Sequence, residues 1–149
     1  MNIVKRIDQY NDDYIYFCEP IKNNIMNDGQ FIRILYSTDK FTLNGIYLLF
    51  TLNDVVCEKY YNKYRCTFDV EHNNEIIQNV KIIEENILKK LDIQNKIPQY
   101  KIYEQIKCGN IKIFNEINKN TCSFILKISG IWETFNNYGI TYKFITINN

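Results

Sequence analysis

The stretch NEIIQNVKIIEENILKKL, residues 74–91, decides the fold class because its period differs from that of the sequence around it. Its apolar residues recur every three to four positions, the spacing of one face of an α-helix. They are Ile76, Val80, Ile83, Ile87 and Leu91. Asn73 or Asn74 can cap the start, and Lys89 and Lys90 suit the dipole at the end. The pattern predicts one central helix over this stretch.

The sequence before this helix is typical of β-strands. Phe31–Tyr36 is β-branched and aromatic, and residues 37–40 read as a turn. Phe41–Leu52 is a long apolar stretch interrupted by Asn44-Gly45, which fits either a two-residue hairpin turn or a bulge in one bent strand. We favour the bulge, because residues 37–40 already supply a turn.

The sequence after the helix is also strand-like. Tyr100–Lys107 and Ile111–Phe114 are predicted strands, followed by a polar loop over residues 115–121. Cys122–Trp132 and Tyr138–Ile147 are predicted to form a closing hairpin.

Length and element order together favour one domain over residues 1–149. A chain of 149 residues with 46% hydrophobic residues can bury one core. Strands, one helix and further strands predict a mainly β (α+β) fold, specifically an OB-like antiparallel Greek-key barrel with one central helix. A β-sandwich is the alternative.

Cysteine use and hydropathy predict an intracellular protein of the cytoplasm or nucleus, without a membrane partner. The five cysteines are scattered and never spaced as C-x-x-C, so we expect buried, reduced thiols. No apolar run approaches the length of a membrane span. Alanine is absent and lysine far outnumbers arginine, a bias that indicates an AT-rich genome such as that of a large DNA virus or a protist.

Catalytic and metal-binding patterns are missing from the sequence. The single histidine, His72, has no second His or Cys at metal spacing and fits a helix-entry residue better than a catalytic base. The phosphate-binding G-x-x-x-x-G-K-[ST] and the nucleophile element G-x-S-x-G are both lacking. We therefore predict that the protein is not an enzyme and uses no cofactor or metal.

A basic and aromatic run, KYYNKYR over residues 59–65, points instead to nucleic acid. Read as part of one strand, Lys59–Val70, alternation places Lys59, Tyr61, Lys63 and Arg65 on one wet face. Cations that follow phosphates and rings that stack on bases are what single-strand binding requires. The ordinary alternative is a solvated strand, since tyrosine is common in strands.

The predicted closing hairpin contains a second candidate patch. Alternation places Lys127 and Lys143 together on one face. Trp132, Phe135 and Tyr138 lie at its end, where aromatic rings either cover the core or stand exposed as stacking platforms. For Trp132 we favour the covering role.

The segments ILKISGIWE, residues 125–133, and YGITYKF, residues 138–144, carry a resemblance. Together they resemble the closing hairpin of phage-type OB-fold single-stranded DNA-binding proteins and their large-DNA-virus relatives. The resemblance implies a role in DNA replication or repair. Proteins of that family commonly end in an acidic tail that recruits replication partners, whereas this sequence has no acidic residue after Glu133.

The sequence thus predicts a non-catalytic protein that binds single-stranded DNA in viral DNA replication or repair. The expected phosphate contacts are Arg33, Lys59, Lys63, Arg65, Lys127 and Lys143, and the expected base-stacking residues are Tyr61, Phe135 and Tyr138. The alternative is a viral structural or assembly protein that uses the same aromatic surfaces for protein contacts. The formal net charge of only +1 favours this alternative. DNA against RNA preference, homo-oligomerisation and replication-protein partners stay open.

Overall fold

Short strands dominate the first half of the chain in the computed structural model, which describes residues 5–22, 29–114 and 122–146. They are β1 (Lys5–Arg6), β2 (Ile15–Phe17), β3 (Ile21–Lys22), β4 (Gln30–Ser37), β5 (Thr42–Asn44), β6 (Ile46–Thr51), β7 (Val56–Tyr60) and β8 (Lys63–Thr67). Two single-turn 3-10 helices, Ile7–Gln9 and Asp12–Tyr14, lie between β1 and β2. The strand predicted over Phe31–Tyr36 is confirmed as β4.

The second half contains both α-helices and the longest strands. Its elements are α1 (Asn74–Leu91), β9 (Ile97–Gln99), α2 (Lys101–Ile106), β10 (Asn110–Ile113), β11 (Ser123–Glu133) and β12 (Asn137–Thr146). The prediction of a mainly β fold with one principal helix is confirmed. The predicted β10 strand and the β11–β12 hairpin are confirmed as well, whereas residues 115–121 and Ile147 lie outside the described part of the chain.

The strands form one open, mixed sheet centred on β11. Its path runs β1-β6-β11-β12-β10-β8-β7, and β4 pairs with the second half of β11 on the same side as β6. The antiparallel prediction was wrong for three pairings, because β1 with β6, β9 with β12 and β10 with β12 are parallel. Two parallel neighbours need a long connection in the sequence, and the long strand β11 is part of the connection between β10 and β12.

Gly45 bends one continuous strand path rather than closing a hairpin. β5 pairs with β4, whereas β6 pairs with β1 and β11. Gly45 has φ +104°, and a Cβ there would lie 2.9 Å from the carbonyl oxygen of Ile128. The bulge or bend favoured from the sequence is therefore the observed arrangement, and only glycine fits it without strain.

Helix α1 has the predicted bounds, but the residue before it has a different role from a cap. Asn73 is buried and makes no capping hydrogen bond to the helix. Its Oδ1 accepts from the backbone N–H of Asn53 at 2.7 Å, and its Nδ2 donates to the carbonyl oxygens of Asn53 and Asp69. Asn73 thus ties the β6–β7 connection to the start of the helix.

Two predictions for the middle of the chain were wrong. Residues predicted as a strand over Tyr100–Lys107 form α2, because Ile102 and Ile106, four positions apart, both enter the core. Residues predicted as one strand over Lys59–Val70 form the β7–β8 hairpin. Its turn lies at Tyr61 and Asn62, with Tyr61 at φ +57°, so the side-chain alternation changes phase there.

The two α-helices lie on the same face of the sheet. Helix α2 packs on what we call the inner face against β10 and β12, and α1 packs there against β12. Large inner-face residues of five strands are buried there: Leu48, Cys66, Ile113, Leu126 and Phe144. The opposite face, called the outer face below, has no helix of the described chain against it.

The five cysteines are free, but only Cys66 is buried. Cys18 and Cys57 are partly buried, whereas Cys108 and Cys122 are exposed, so the prediction of buried thiols was wrong for the two exposed residues. Neither α1 nor α2, nor either short 3-10 helix among the described residues, is long and apolar enough to cross a membrane.

Candidate nucleic-acid interface

Four cationic side chains lie in one row across the outer face, and we call them the basic row. Lys127 of β11 is directly opposite Lys143 of β12. Ile113 of β10 pairs in parallel with Phe144 of β12. The residues that precede them on the two strands, Lys112 and Lys143, are therefore also neighbours. Lys112 is in turn opposite Arg65 of β8. Neighbouring strands are about 4.8 Å apart, so the row extends over about 15 Å.

The basic row has an aromatic ring at one end and a carboxylate at the other. Tyr47 of β6 pairs with Lys127, and its ring centroid is 5.5 Å from the Lys127 Nζ. Glu58 of β7 pairs with Arg65. Within the described residues, no cation of the basic row has a carboxylate within ion-pairing distance. The positive charge of this face is therefore available to an anionic ligand.

An apolar row runs beside the basic row. Its members are Leu49, Ile125 and Ile145 on three paired strands, then Phe114 directly after β10. The Phe114 side chain is 66% exposed, which is unusual for a phenylalanine next to a sheet. Lys63 and Tyr60 form the cross-strand pair at the end of the row, with the Lys63 Nζ 5.7 Å from the Tyr60 ring centroid.

Two further aromatic rings lie on the outer face on the other side of the basic row. Phe31 pairs with Trp132 across β4 and β11, and Trp132 pairs with Gly139 of β12. A Cβ on Gly139 would lie 2.7 Å from the Trp132 ring, and one on Gly130 would lie 2.6 Å from the Phe31 ring. Both rings therefore lie against glycine backbone, half-buried. The core-covering role predicted for Trp132 was wrong, because its ring lies on the outer face and not against the inner-face core.

Five of the predicted phosphate-binding residues share the outer face. Arg33, Arg65, Lys127 and Lys143 all have their register positions there, and Lys63 lies in the adjoining apolar row. Arg33 pairs with Gly130, two register steps beyond Lys127 along β11.

Lys59 is on the other side of the sheet, contrary to the predicted alternation. It pairs with Tyr64, next to Cys57 and Cys66, so it belongs to the inner-face register at the exposed edge strand. The turn at residues 61–62 shifts the side-chain alternation of β8 relative to that of β7. The prediction treated residues 59–70 as one continuous β-strand, so it could not include this shift.

The three predicted stacking residues are far apart and differ in exposure. Tyr61 is 81% exposed at the tip of the β7–β8 hairpin, and Phe135 is 77% exposed in the β11–β12 turn. These positions lie beyond opposite ends of the strands, with the basic row between them. Tyr138 is only 5% exposed and belongs to the core, because it shares the inner-face register with Ile140. Its predicted surface role is wrong for this structure.

Lys112 is the residue of the basic row that sequence reasoning missed. Its neighbours Ile111 and Ile113 are fully buried, so strict alternation exposes Lys112 on the outer face. That alternation was readable in the sequence. The position of Lys112 between Lys143 and Arg65 depends on strand order and was not.

A cleft opens at the Lys127 end of the basic row, where β4 and β5 turn away from β6. It measures about 320 Å³ and contains the side chains of Arg33, Thr42, Asn44, Tyr47, Lys127 and Ser129. Ser129 is the bulged residue between Ile128 and Gly130 on β11, and a bulge bends its strand and increases the local twist.

Among the described residues there is no group of three or more His, Cys, Asp or Glu side chains placed to hold a metal ion. No known family, no curated protein and no solved structure matches this chain. The geometry of the outer face is therefore the basis for assigning a function.

Proposed function

We propose that the protein binds single-stranded nucleic acid non-catalytically across its outer face, in DNA replication or repair. The observation that carries this proposal is the basic row, four cations in register on four neighbouring strands without carboxylate partners in the described chain. Cations at such spacing neutralise successive phosphates, and the counterions they release drive association.

Base stacking is assigned to the aromatic residues nearest the basic row. Phe114 lies in the adjoining apolar row and is the most exposed ring next to the cations. Phe31 and Trp132 lie on the opposite flank, against glycine backbone. Stacking is tolerant of base identity, so the proposal includes little sequence preference. Tyr61 and Phe135 come within reach only of a strand long enough to cross the sheet.

The resemblance to OB-fold single-stranded DNA-binding proteins and the OB-like barrel are part of the same proposal. Two features support it. A helix follows an antiparallel hairpin, and the sharp bend at Gly45 lets one strand path pair with two different sets of strands. Backbone amide protection of β7, which is an edge strand in the open sheet, provides the test. Slow exchange on its outer edge supports closure of a barrel, and rapid exchange argues against it.

Removing charges from the centre of the basic row tests the main proposal. Fluorescence anisotropy with labelled oligo-dT, measured over a salt series, should give a slope of log affinity that falls by about 1.4 in Lys112→Gln/Lys143→Gln, about 0.7 for each lost phosphate contact. The matched control is Lys89→Gln/Lys107→Gln, which removes the same charge from two exposed positions on the helix side. An equal effect of both pairs, or no binding by the unaltered protein, would contradict the proposal.

Phe114→Ala separates stacking from charge. It should weaken binding by about 1–3 kcal/mol while the salt slope stays the same, because stacking releases no counterions. The exposure of Phe114 makes an effect on folding small, and circular dichroism checks this. Unchanged affinity would remove Phe114 from the interface.

An assembly role is the second candidate, and the apolar row is the observation that favours it. Its exposed Phe114 ring and the partly buried Leu49 and Ile145 are also suited to protein contacts. Sedimentation velocity distinguishes the two roles. Self-association that Phe114→Ala abolishes, together with no oligonucleotide binding, would support the assembly role.

A further inference from the structure

The cleft beside Lys127 contains two cations that neutral groups hold in position. The Arg33 Nη1 donates a hydrogen bond to Asn44 Oδ1 at 2.8 Å. The Lys127 ammonium stands over the Tyr47 ring. Because neither contact neutralises a charge, both cations keep their full attraction for an anion, and Arg33 keeps further N–H donors free. The hydroxyls of Ser129 and Thr42 add neutral hydrogen-bonding groups to the wall.

The cleft also lies at one end of the basic row. Lys127 is the last cation of the row and lines the cleft as well, together with Thr42 and Asn44 of β5. A nucleic-acid strand that follows the row from Arg65 towards Lys127 therefore reaches the cleft after the last of the four cations. The geometry suits the end of a strand better than its middle.

We propose that this cleft binds the terminal phosphate of a single strand, an inference that rests on the proposed function. A terminal phosphomonoester carries a charge of about −1.5 to −2 at neutral pH, whereas an internal phosphodiester carries one negative charge. Two uncompensated cations therefore favour the monoester. The terminal group supplies the dianion, and the basic row holds the phosphodiesters behind it.

The test compares three labelled oligo-dT molecules of equal length, with a 5′-phosphate, with a 3′-phosphate, or with hydroxyls at both ends. We expect one of the two phosphorylated strands to bind about tenfold more tightly than the hydroxyl strand, the ratio for one added charge-assisted hydrogen bond. Arg33→Gln should remove this preference, so that the three strands bind with affinities within about twofold of one another.

Arg65→Gln is the matched control at the far end of the row. It removes the same charge, and it should weaken all three strands by the same factor. Asn44→Asp provides a second variant should Arg33→Gln fold poorly, since it places a carboxylate beside Arg33 without changing side-chain size. It too should abolish the preference for a phosphorylated end.

The outcomes separate this inference from the proposed function. Equal affinity for the three strands would overturn the cleft assignment while leaving single-strand binding intact, and failure to bind any strand would overturn both. Inorganic phosphate, compared with chloride at equal ionic strength, tests the source of the phosphate. The contrary result is that inorganic phosphate displaces the labelled phosphorylated strand as strongly as an unlabelled phosphorylated strand does, and only in the protein that retains Arg33. In that case the cleft is a free-phosphate site and the strand-end assignment is wrong.

Discussion

Glu84 is a buried carboxylate that should make the stability of the protein depend on pH. It lies on α1 and is 1% exposed. Its Oε2 accepts from the backbone N–H of Ile102 and its Oε1 from that of Tyr103, both at 2.9 Å, at the start of α2. Burial raises the pKa of Glu84 from 4.5 to about 7, even though these two hydrogen bonds lower it.

Neighbouring groups act in the same direction as burial. Glu104 on α2 and Glu85 on α1 raise the pKa of Glu84 through charge repulsion. Tyr142 of β12 also faces this region, but its own pKa is raised to about 12 by burial, so it stays neutral in the range that matters.

The direction in which pH changes the stability follows from the raised pKa of Glu84. The folded protein binds the Glu84 proton more tightly than the unfolded chain, so the stabilisation is complete below about pH 4.5 and is lost as pH rises through about 7. The full loss is about 3 kcal/mol, and the part expected between pH 5 and pH 8 is about 2–3 kcal/mol. That is a large share of the stability of an ordinary domain.

Urea unfolding at pH 5 and pH 8 measures this loss directly. Glu84→Gln should remove the loss, because the amide does not titrate, although its NH₂ group then faces a backbone donor and lowers stability at both pH values. Glu85→Gln, at an exposed neighbour on the same helix, removes one of the smaller causes of the shift and should keep most of the pH dependence, because burial is the largest cause. Identical pH dependence in the unaltered and Glu84→Gln proteins would refute the reasoning.

Three further predictions concern packing and thiol access. Gly130→Ala should lower stability by about 1–3 kcal/mol in thermal unfolding, because its Cβ would overlap the Phe31 ring and a β4 carbonyl oxygen; an unchanged midpoint would contradict the close packing. Asn73→Ala should cost about 1–3 kcal/mol in the same assay, since it leaves the buried hydrogen bonds to two loops unmade. Cys108 and Cys122 should react with an aromatic disulfide reagent in the native state, whereas Cys66 should react only after unfolding, because it is buried and burial raises its pKa; rapid native modification of Cys66 would argue against the inner-face register.

Local periodicity was sufficient for the elements whose side chains repeat over several turns or strand steps. The bounds of α1 were predictable because its apolar residues repeat at the helical period over five turns. The β11–β12 hairpin was predictable because alternation extends through most of two long strands, although the bulge at Ser129 interrupts it on β11. Local propensity failed for α2, where tyrosine and isoleucine favour a strand. Helix there is supported by Glu84, 18 residues away, which binds two backbone N–H groups at its start.

The sequence by itself determined that this chain is mainly β, that one long helix divides it, and that a basic and aromatic run occupies residues 59–65. Those properties depend on neighbours a few residues apart. The basic row and the cleft depend instead on strand order, because Lys112, Arg65 and Lys127 come from separate parts of the chain. Backbone hydrogen bonds between strands that are distant in the sequence bring these residues together. The local pattern of side chains does not indicate which strands will pair. The phase shift that puts Lys59 on the opposite face likewise arises from a turn, and only the tertiary structure decided it.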